Sequence, residues 1–328
     1  MNDYLFTIII TFTNKTISSM LRNFFLILIF LFSIGAFNNE CAAQGKKLKT
    51  IVVDAGHGGK DSGAQGDYEN SLGSKEKDVT LEISKKLVAE LKKRLPDINV
   101  VPTRTTDVFD NVHEKANKAN GVKGDLFLCI HADAGGEKRG SRQIGTKTVT
   151  KYKVTYTGKG KRKKKITEPY DVEVPIYEYF KYPCPVNGTS VWIFAAAKTK
   201  DKLNALMEEG YEDNTEDSTY NNFSFNTPEG KQLAQIYAKA YQQKSDLIAT
   251  LVNEEVELTG RKALGVKQRN EKGIWVLSAT RMPAILIETG FINNDADERY
   301  INSEKGQQEL AEAITKAVIK YKAQIEKK

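Results

Sequence analysis

Hydrophobic and polar positions follow three rhythms along this chain. Three stretches are almost purely apolar: Thr50-Ile51-Val52-Val53-Asp54-Ala55, Asp125-Leu126-Phe127-Leu128-Cys129-Ile130-His131-Ala132, and Ala284-Ile285-Leu286-Ile287-Glu288. They are short and rich in β-branched or aromatic side chains, as strands buried on both faces are. Between the first two the period changes. Val79, Ile83, Leu87, Leu91 and Leu95 recur at helical spacing, predicting a helix from about Lys77 to Leu95 that Pro96 ends. Ile98 to Thr103 reads as a short strand, and Val112 to Ala119 as a second helix ending near Gly121. Strand, helix, strand, helix, strand is βαβ logic. The expected fold class is therefore α/β, a mostly parallel twisted sheet flanked by helices.

The third rhythm has period two. Thr146 to Thr157 and Tyr170 to Phe180 alternate lysine, tyrosine and β-branched residues around a tip from Gly158 to Lys165 that is nearly all lysine, arginine and glycine. This predicts a long β-hairpin inserted at about residues 136–190. The tip reads either as a solvated loop or as a contact for an anionic polymer. Val191 to Phe194 resumes the sheet. Residues 198–262 form an inserted helical segment, with one helix from Asp201 to Glu209 and a long one from Pro228 towards Leu258, where proline suits the first turn. Gly273 to Leu277 and Ala284 to Glu288 are expected as strands. A final amphipathic helix carries Leu310, Ile314, Val318 and Tyr321.

Composition adds location. Met20-Leu21-Arg22-Asn23, an apolar stretch from Phe24 to Phe37, and Cys41-Ala42-Ala43 have the layout of a secretory signal cleaved before Gln44, with Met20 as the expected start. Residues 1–43 are then the leader and 44–328 a single catalytic domain, exported to the periplasm or cell wall. A retained membrane anchor is the alternative, because Tyr4 to Phe12 adds apolar length. Cys41 is poorly placed for lipidation after Asn38-Asn39-Glu40. At 40% hydrophobic and 28% charged the chain has an ordinary globular composition, and its three cysteines give no disulfide framework. The formal charge of +7 suggests an anionic neighbour, and the export signal speaks against nucleic acid.

Each apolar run leads to a residue able to hold a metal or work beside one: His57, His131 and Glu288. In open α/β sheets function gathers beyond the carboxyl ends of the strands, so these three are expected at one sheet edge. The chain has only three histidines. His57 lies in Asp54-Ala55-Gly56-His57-Gly58-Gly59, whose glycines leave the imidazole bare; a phosphate-binding glycine loop is the competing reading. Two histidines and a carboxylate suit zinc. Glu76, on the loop leaving the first strand, is the favoured third ligand, with Glu69 and Glu82 as competitors. Glu288 ends an apolar strand, where an ionised carboxylate is costly without a partner or a task. It is the candidate general base. His113 falls on a polar helix face with no assigned role.

Together these stretches resemble the zinc-dependent N-acetylmuramoyl-L-alanine amidases of the amidase_3 type. The resemblance rests on Val52 to Gly59, Glu76-Lys77-Asp78-Val79, Thr103-Arg104 with Asp107, Asp125 to Asp133, and Met282 to Asn294, in the family's order and at both ends of the mature chain. It implies one Zn2+ held by His57, Glu76 and His131, with Glu288 catalytic. It implies hydrolysis of the amide between N-acetylmuramic acid and L-alanine of the stem peptide, in cell separation or wall turnover. Peptidoglycan is then the partner, a protein activator a further one, and the membrane a partner only if the N-terminal segment is retained; a monomer is expected. Two departures stand out. Val112-His113-Glu114-Lys115 occupies the place of a usual leucine and arginine, and Cys129 that of a usual serine. By resemblance the stretch from Asp201 to Thr227 is a candidate for a regulatory segment covering the zinc. A non-catalytic wall-binding protein and a zinc peptidase or deacetylase of related layout are the competing functions.

Overall fold

The first apolar run becomes β1 (Thr50–Ala55), which pairs in parallel with β2 (Asn99–Pro102) on one side and β3 (Leu126–Asp133) on the other. The third run, β8 (Ala284–Phe291), lies parallel to β3, with His131 and Glu288 as register partners. β6 (Thr189–Ile193) then runs antiparallel to β8, and β7 (Ala263–Gln268) parallel to β6. The sheet order is β2-β1-β3-β8-β6-β7. Four parallel strands and a reversed pair give the mostly parallel α/β sheet expected. A computed structural model describes residues 47–207 and 227–327. The leader and most of the candidate regulatory stretch lie outside the described residues. Lys47–Ile325 forms one compact unit. Among the described residues no helix is long and apolar enough to cross a membrane.

Alternation within the strands builds two cores. Ile51, Val53, Leu128, Ile130, Ile285 and Ile287 pack on one face with the buried side of α1 (Glu76–Arg94), and with α4 (Pro228–Leu258) and α7 (Glu304–Ile325). Val52, Phe127, Cys129, Ala284 and Leu286 pack on the other, against α2 (Val112–Gly121) and α5 (Trp275–Ala279). Each fully buried leucine or isoleucine contributes roughly 1.5–3 kcal/mol. α1 ends in Lys92, Lys93 and Arg94, which favour the negative end of the helix dipole. α2 starts at a reciprocal capping box between Asn111 and Glu114, and α4 at Thr227, whose side chain caps Gly230 ahead of Pro228.

One expectation is corrected. The stretch read as a strand, Gly273 to Leu277, mostly falls in the short helix α5. An apolar run of that length does not distinguish a buried strand from a buried helix. The real edge strand, β7, contains Gly265 at φ 81° and is only half-buried, so it shows no apolar run. The expected final helix is α7, with Leu310, Ile314, Val318 and Tyr321 buried, and a short α6 (Asp295–Asn302) capped by Asn294 precedes it.

The insertions are both present. β4 (Lys138–Thr157) and β5 (Lys164–Tyr182) form a separate two-stranded sheet, longer than the alternation suggested, with a bulge between Gln143 and Gly145. α3 (Thr199–Met207) precedes α4, and Leu206, Ala234, Ala238 and Tyr241 form a small satellite core. Lys202 of α3 is fully buried and donates to the carbonyl oxygens of Leu277 and Met282, both at 2.9 Å, and to that of Thr280. Burial pushes its ammonium from the ordinary 10.5 down to about 7.

Candidate metal centre

The chain turns sharply off β1. His57 has φ 58°, a left-handed conformation uncommon outside glycine that tends to persist only where a site demands it. Two glycines let the backbone lie flat against the cluster. A Cβ at Gly56 would come within 2.6 Å of His131 Nε2, and one at Gly63 (φ 64°) within 2.5 Å of Glu76 Oε2. Arg104 donates to the carbonyls of Ala55 (3.1 Å) and Gly56 (2.9 Å), and Thr80 to Gly56 (2.8 Å), so the acceptors at the carboxyl end of β1 are filled. Asp107 accepts from Gly59 N (2.7 Å) and pairs with Lys77 (2.6 Å), tying the glycine loop to α1. Arg104 and Asp107 thus hold the loop and stand off the cluster itself.

Glu76 is the first residue of α1, and its two oxygens face the two histidines. Oε1 lies 2.8 Å from His131 Nδ1, and Oε2 lies 3.0 Å from His57 Nε2. The backbone N–H groups of Ala132 (3.0 Å) and Ala64 (2.8 Å) donate to the same oxygens. Burial raises the carboxyl, but its hydrogen bonds to His131 and His57 outweigh that and hold it far below the usual range. Burial lowers the His57 imidazole, yet Glu76 and Asp61 raise it overall. The other nitrogen of His57, Nδ1, meets Asp61 Oδ2 at 2.8 Å, the outer carboxylate that orients many metal-binding imidazoles. Ligand atoms of His57, Glu76 and His131 all lie within 4.8 Å of one another. Two imidazoles and one ionised carboxylate fit Zn2+ with a position left for water or substrate.

A second trio, Asp54, Cys129 and His131, meets the same distance criterion but fits a cation poorly. Asp54 is already filled: Oδ1 accepts from Thr103 (2.5 Å) and Lys115 Nζ (2.9 Å), and Oδ2 from the Cys129 thiol (3.0 Å). Burial pushes the Cys129 thiol well up, so it stays protonated, and the Lys115 ammonium repels a metal ion.

Glu288 stands beside His131 on β8 and opposite Ser190 on β6. Its Oε2 is buried and has no hydrogen-bond partner among the described residues. Burial, with Asp133 and Glu76 nearby, raises its carboxyl well above the usual range; Arg269 and Lys267 pull the other way. Both cations lie near Trp192, at 5.5 Å (Lys267 Nζ) and 6.0 Å (Arg269 Cζ) from its ring centroid. The other candidates fall elsewhere. Glu69 pairs with Arg142 at the hairpin root (2.7 Å), Glu82 pairs with Lys85 on the surface of α1 (2.8 Å), and His113 packs at a tilt against Trp275 with ring centroids 3.9 Å apart.

The sequence reading missed Lys115. It reaches from α2 to Asp54 (2.9 Å) and to the Ala55 carbonyl (2.5 Å). Asn111-Val112-His113-Glu114 announced the helix start; an α2 lysine one turn in from it was the available signal. Asp61, four residues after His57, was also passed over.

Comparison with known proteins decides the family. A family profile described as N-acetylmuramoyl-L-alanine amidase, Amidase_3, matches residues 51–320. The chain belongs to this family. Among curated family relatives, N-acetylmuramoyl-L-alanine amidase AmiC of Escherichia coli O6:H1 is 28% identical over 273 residues, covering 83% of this chain and 52% of the relative. An endolysin of Bacillus phage SPP1 is 45% identical over 86 residues, 26% of this chain and 30% of the relative. The chain therefore spans about half the length of AmiC and less of the endolysin. The fold is that of an N-acetylmuramoyl-L-alanine amidase from Clostridium difficile 630 (TM-score 0.50, 23% identity, 84% of this chain and 97% of that one). Cwp6 from Clostridium difficile gives TM-score 0.51 at 21% identity, over 83% of this chain and 29% of that one.

Proposed function

We propose that this chain hydrolyses the amide joining N-acetylmuramic acid to L-alanine of the peptidoglycan stem peptide. The observation that carries the proposal is the family match over residues 51–320, which spans every residue of the cluster and Glu288. His57, Glu76 and His131 would hold Zn2+. A bound zinc supplies Lewis acidity, acidifying water and polarising a carbonyl.

The chain's own residues supply the rest. Asp61 orients His57, while the Ala64 and Ala132 amides fix the Glu76 carboxylate. Glu288 Oε2 takes a proton from the attacking water as the new C–O bond forms. It then gives that proton to the alanine nitrogen as the C–N bond breaks, leaving a lactyl carboxylate and a free amine. A carboxyl with a raised affinity for protons suits both halves of that transfer, and an adjacent divalent cation favours its ionised form at the start. Lys115 neutralises Asp54 behind the cluster, so the metal ligands do not face a second unpaired carboxylate.

Export to the periplasm or cell wall belongs to the same reading, as does a protein activator acting on the segment between α3 and α4. Deleting residues 208–226 should raise basal activity if that segment restrains the site. The principal test is digestion of purified peptidoglycan by residues 44–328, with and without zinc, read by mass spectrometry. Zinc-dependent release of intact stem peptides with a new L-alanine amine is expected, and it should vanish in Glu288→Gln. A folded, zinc-loaded protein that releases nothing, with or without residues 208–226, would return the chain to the wall-binding reading.

A further inference from the structure

The protein's basicity is concentrated in one place. Residues 138–182 carry thirteen Lys and Arg against four Asp and Glu, a net +9, in a chain whose total is +7. The rest of the chain is thus slightly acidic. Among the described residues no other strand joins β4 and β5, and 20 residues of β4 at ~3.4 Å each reach roughly 65 Å.

The charges along the ribbon differ in what they do. Near its root they are consumed locally. Arg142 pairs with Glu69 and Glu178, both at 2.7 Å, and Lys181 pairs with Glu137 at 2.7 Å and with Asp67. The Glu69 amide also donates to the Lys181 carbonyl at 3.0 Å. These bonds fasten the ribbon to the loop that leads into Glu76, and β4 itself starts five residues past the end of β3. The ribbon is therefore rooted at the rim of the metal cluster.

Farther out the cations are unspent. Register puts Lys147 opposite Val174, Lys151 opposite Tyr170 and Lys153 opposite Glu168, the three lysines on one face, with Lys153 and Glu168 too far apart to form an ion pair. The acids Glu173 and Asp171 lie on the opposite face, where Thr148 and Thr150 donate to them at 2.7 Å. At the tip, six of the seven residues from Lys159 to Lys165 are cationic, and all are exposed. None of these distal cations has an ion pair among the described residues. Like charges packed this closely repel one another and contribute nothing to folding. Cleavage of a single amide needs no reach of this length; holding a polymer beside the site does.

We propose that the distal ribbon is a docking strip for the free carboxylates of uncut stem peptides, on the same wall strand that occupies the metal cluster. The proposal rests on the amidase reading for the identity of the polymer. A strand that enters the site must pass the ribbon's root, and its neighbouring stems present carboxylates at regular spacing. Phosphate-bearing wall polymers have the same sign of charge but no need to pass the site.

The test is co-sedimentation of full-length Glu288→Gln with purified peptidoglycan, beside the same protein with Lys159, Lys161, Arg162, Lys163, Lys164 and Lys165 all changed to Gln. Apparent affinity should fall at least tenfold in the six-Gln protein, and raising salt should weaken the parent but hardly affect the variant. Peptidoglycan whose carboxyls are blocked as amides should bind as weakly as the variant does, while material stripped of phosphate polymers should bind normally. On a soluble single-stem fragment, the six-Gln change in an otherwise unaltered enzyme should leave hydrolysis within twofold. Equal binding by the six-Gln protein, indifference to carboxyl blocking, or loss of binding on phosphate removal would each overturn the proposal. Binding that behaves as expected while the unaltered enzyme cleaves nothing would sink the amidase reading and leave the docking strip standing.

Discussion

The edge of the sheet and the ribbon that rises from it treat charge in opposite ways. At the edge, Asp54, Glu76, Arg104 and Lys115 are buried, and each has its polar atoms matched to named partners. Only Glu288 keeps an oxygen without one among the described residues. On the distal ribbon, cations are exposed and none has an ion pair among the described residues. In a buried setting an unmatched polar atom is costly, so each one calls for an explanation. In water an unmatched lysine costs little, and only its accumulation carries meaning. The two regions therefore call for different evidence: a single orphan oxygen in one, a run of charges in the other.

Substitutions should expose that contrast. Glu288→Gln keeps the shape of the edge and removes the proton carrier, so turnover should fall by about 10²–10⁴-fold with zinc content unchanged. A variant that keeps its turnover would remove Glu288 from the mechanism. Lys115→Met strands the buried Asp54 carboxylate and should destabilise the fold by about 3–5 kcal/mol in urea denaturation. Adding Asp54→Asn should recover much of that loss; if the single change is harmless, the pair is not what holds β1 to α2.

Lys202 lies between the extremes, buried but with no ion-pair partner among the described residues. Its folded-state proton affinity is lowered, from 10.5 to about 7. Between those values the unfolded chain binds the proton and the folded one does not, so stability should rise with pH across that window, by at most about 1.4 kcal/mol per pH unit. Below pH 7 both states are protonated and the slope should vanish. Lys202→Met should flatten the rise, which denaturation at pH 7, 8.5 and 10 would reveal. The smallest effect belongs to the ribbon: Lys151→Gln with Lys153→Gln should alter stability by less than about 0.5 kcal/mol. A larger loss would mean that the ribbon's charges serve the fold.

How far the sequence could be read follows from the same distinction. The strands β1, β3 and β8 and their terminal residues were legible because burial on both faces forces apolar runs, and a charged residue ending such a run stands out. Glu76 was harder, since a carboxylate at a helix start has an ordinary explanation in the dipole; the fold separates it from Glu69 and Glu82 by bringing it to both histidines. Lys115 escaped because a lysine on a polar helix of ten residues looks solvated until Asp54 is placed beneath it. β7 escaped because a half-buried edge strand with a left-handed glycine has no clean period. The ribbon was legible as alternation, but its root on the Glu76 loop depends on ion pairs formed across a long sequence separation.

One further contact has a consequence in time. The Glu298 carboxylate of α6 accepts from Tyr68 Oη (2.5 Å), from Ser71 Oγ (2.9 Å), and from the backbone amides of Leu72 (3.0 Å) and Ser74 (3.1 Å). The loop that delivers Glu76 is thus clasped by a residue made some 220 positions later in synthesis. Pairings so remote in sequence close late and slowly. A nascent or clipped chain ending before α6 would own both histidines and the ribbon's ties to Asp67 and Glu69, yet lack the Glu298 clasp on Tyr68, Ser71, Leu72 and Ser74. If His57, Glu76 and His131 hold a metal as proposed, unfinished copies should bind it more weakly than the full chain does.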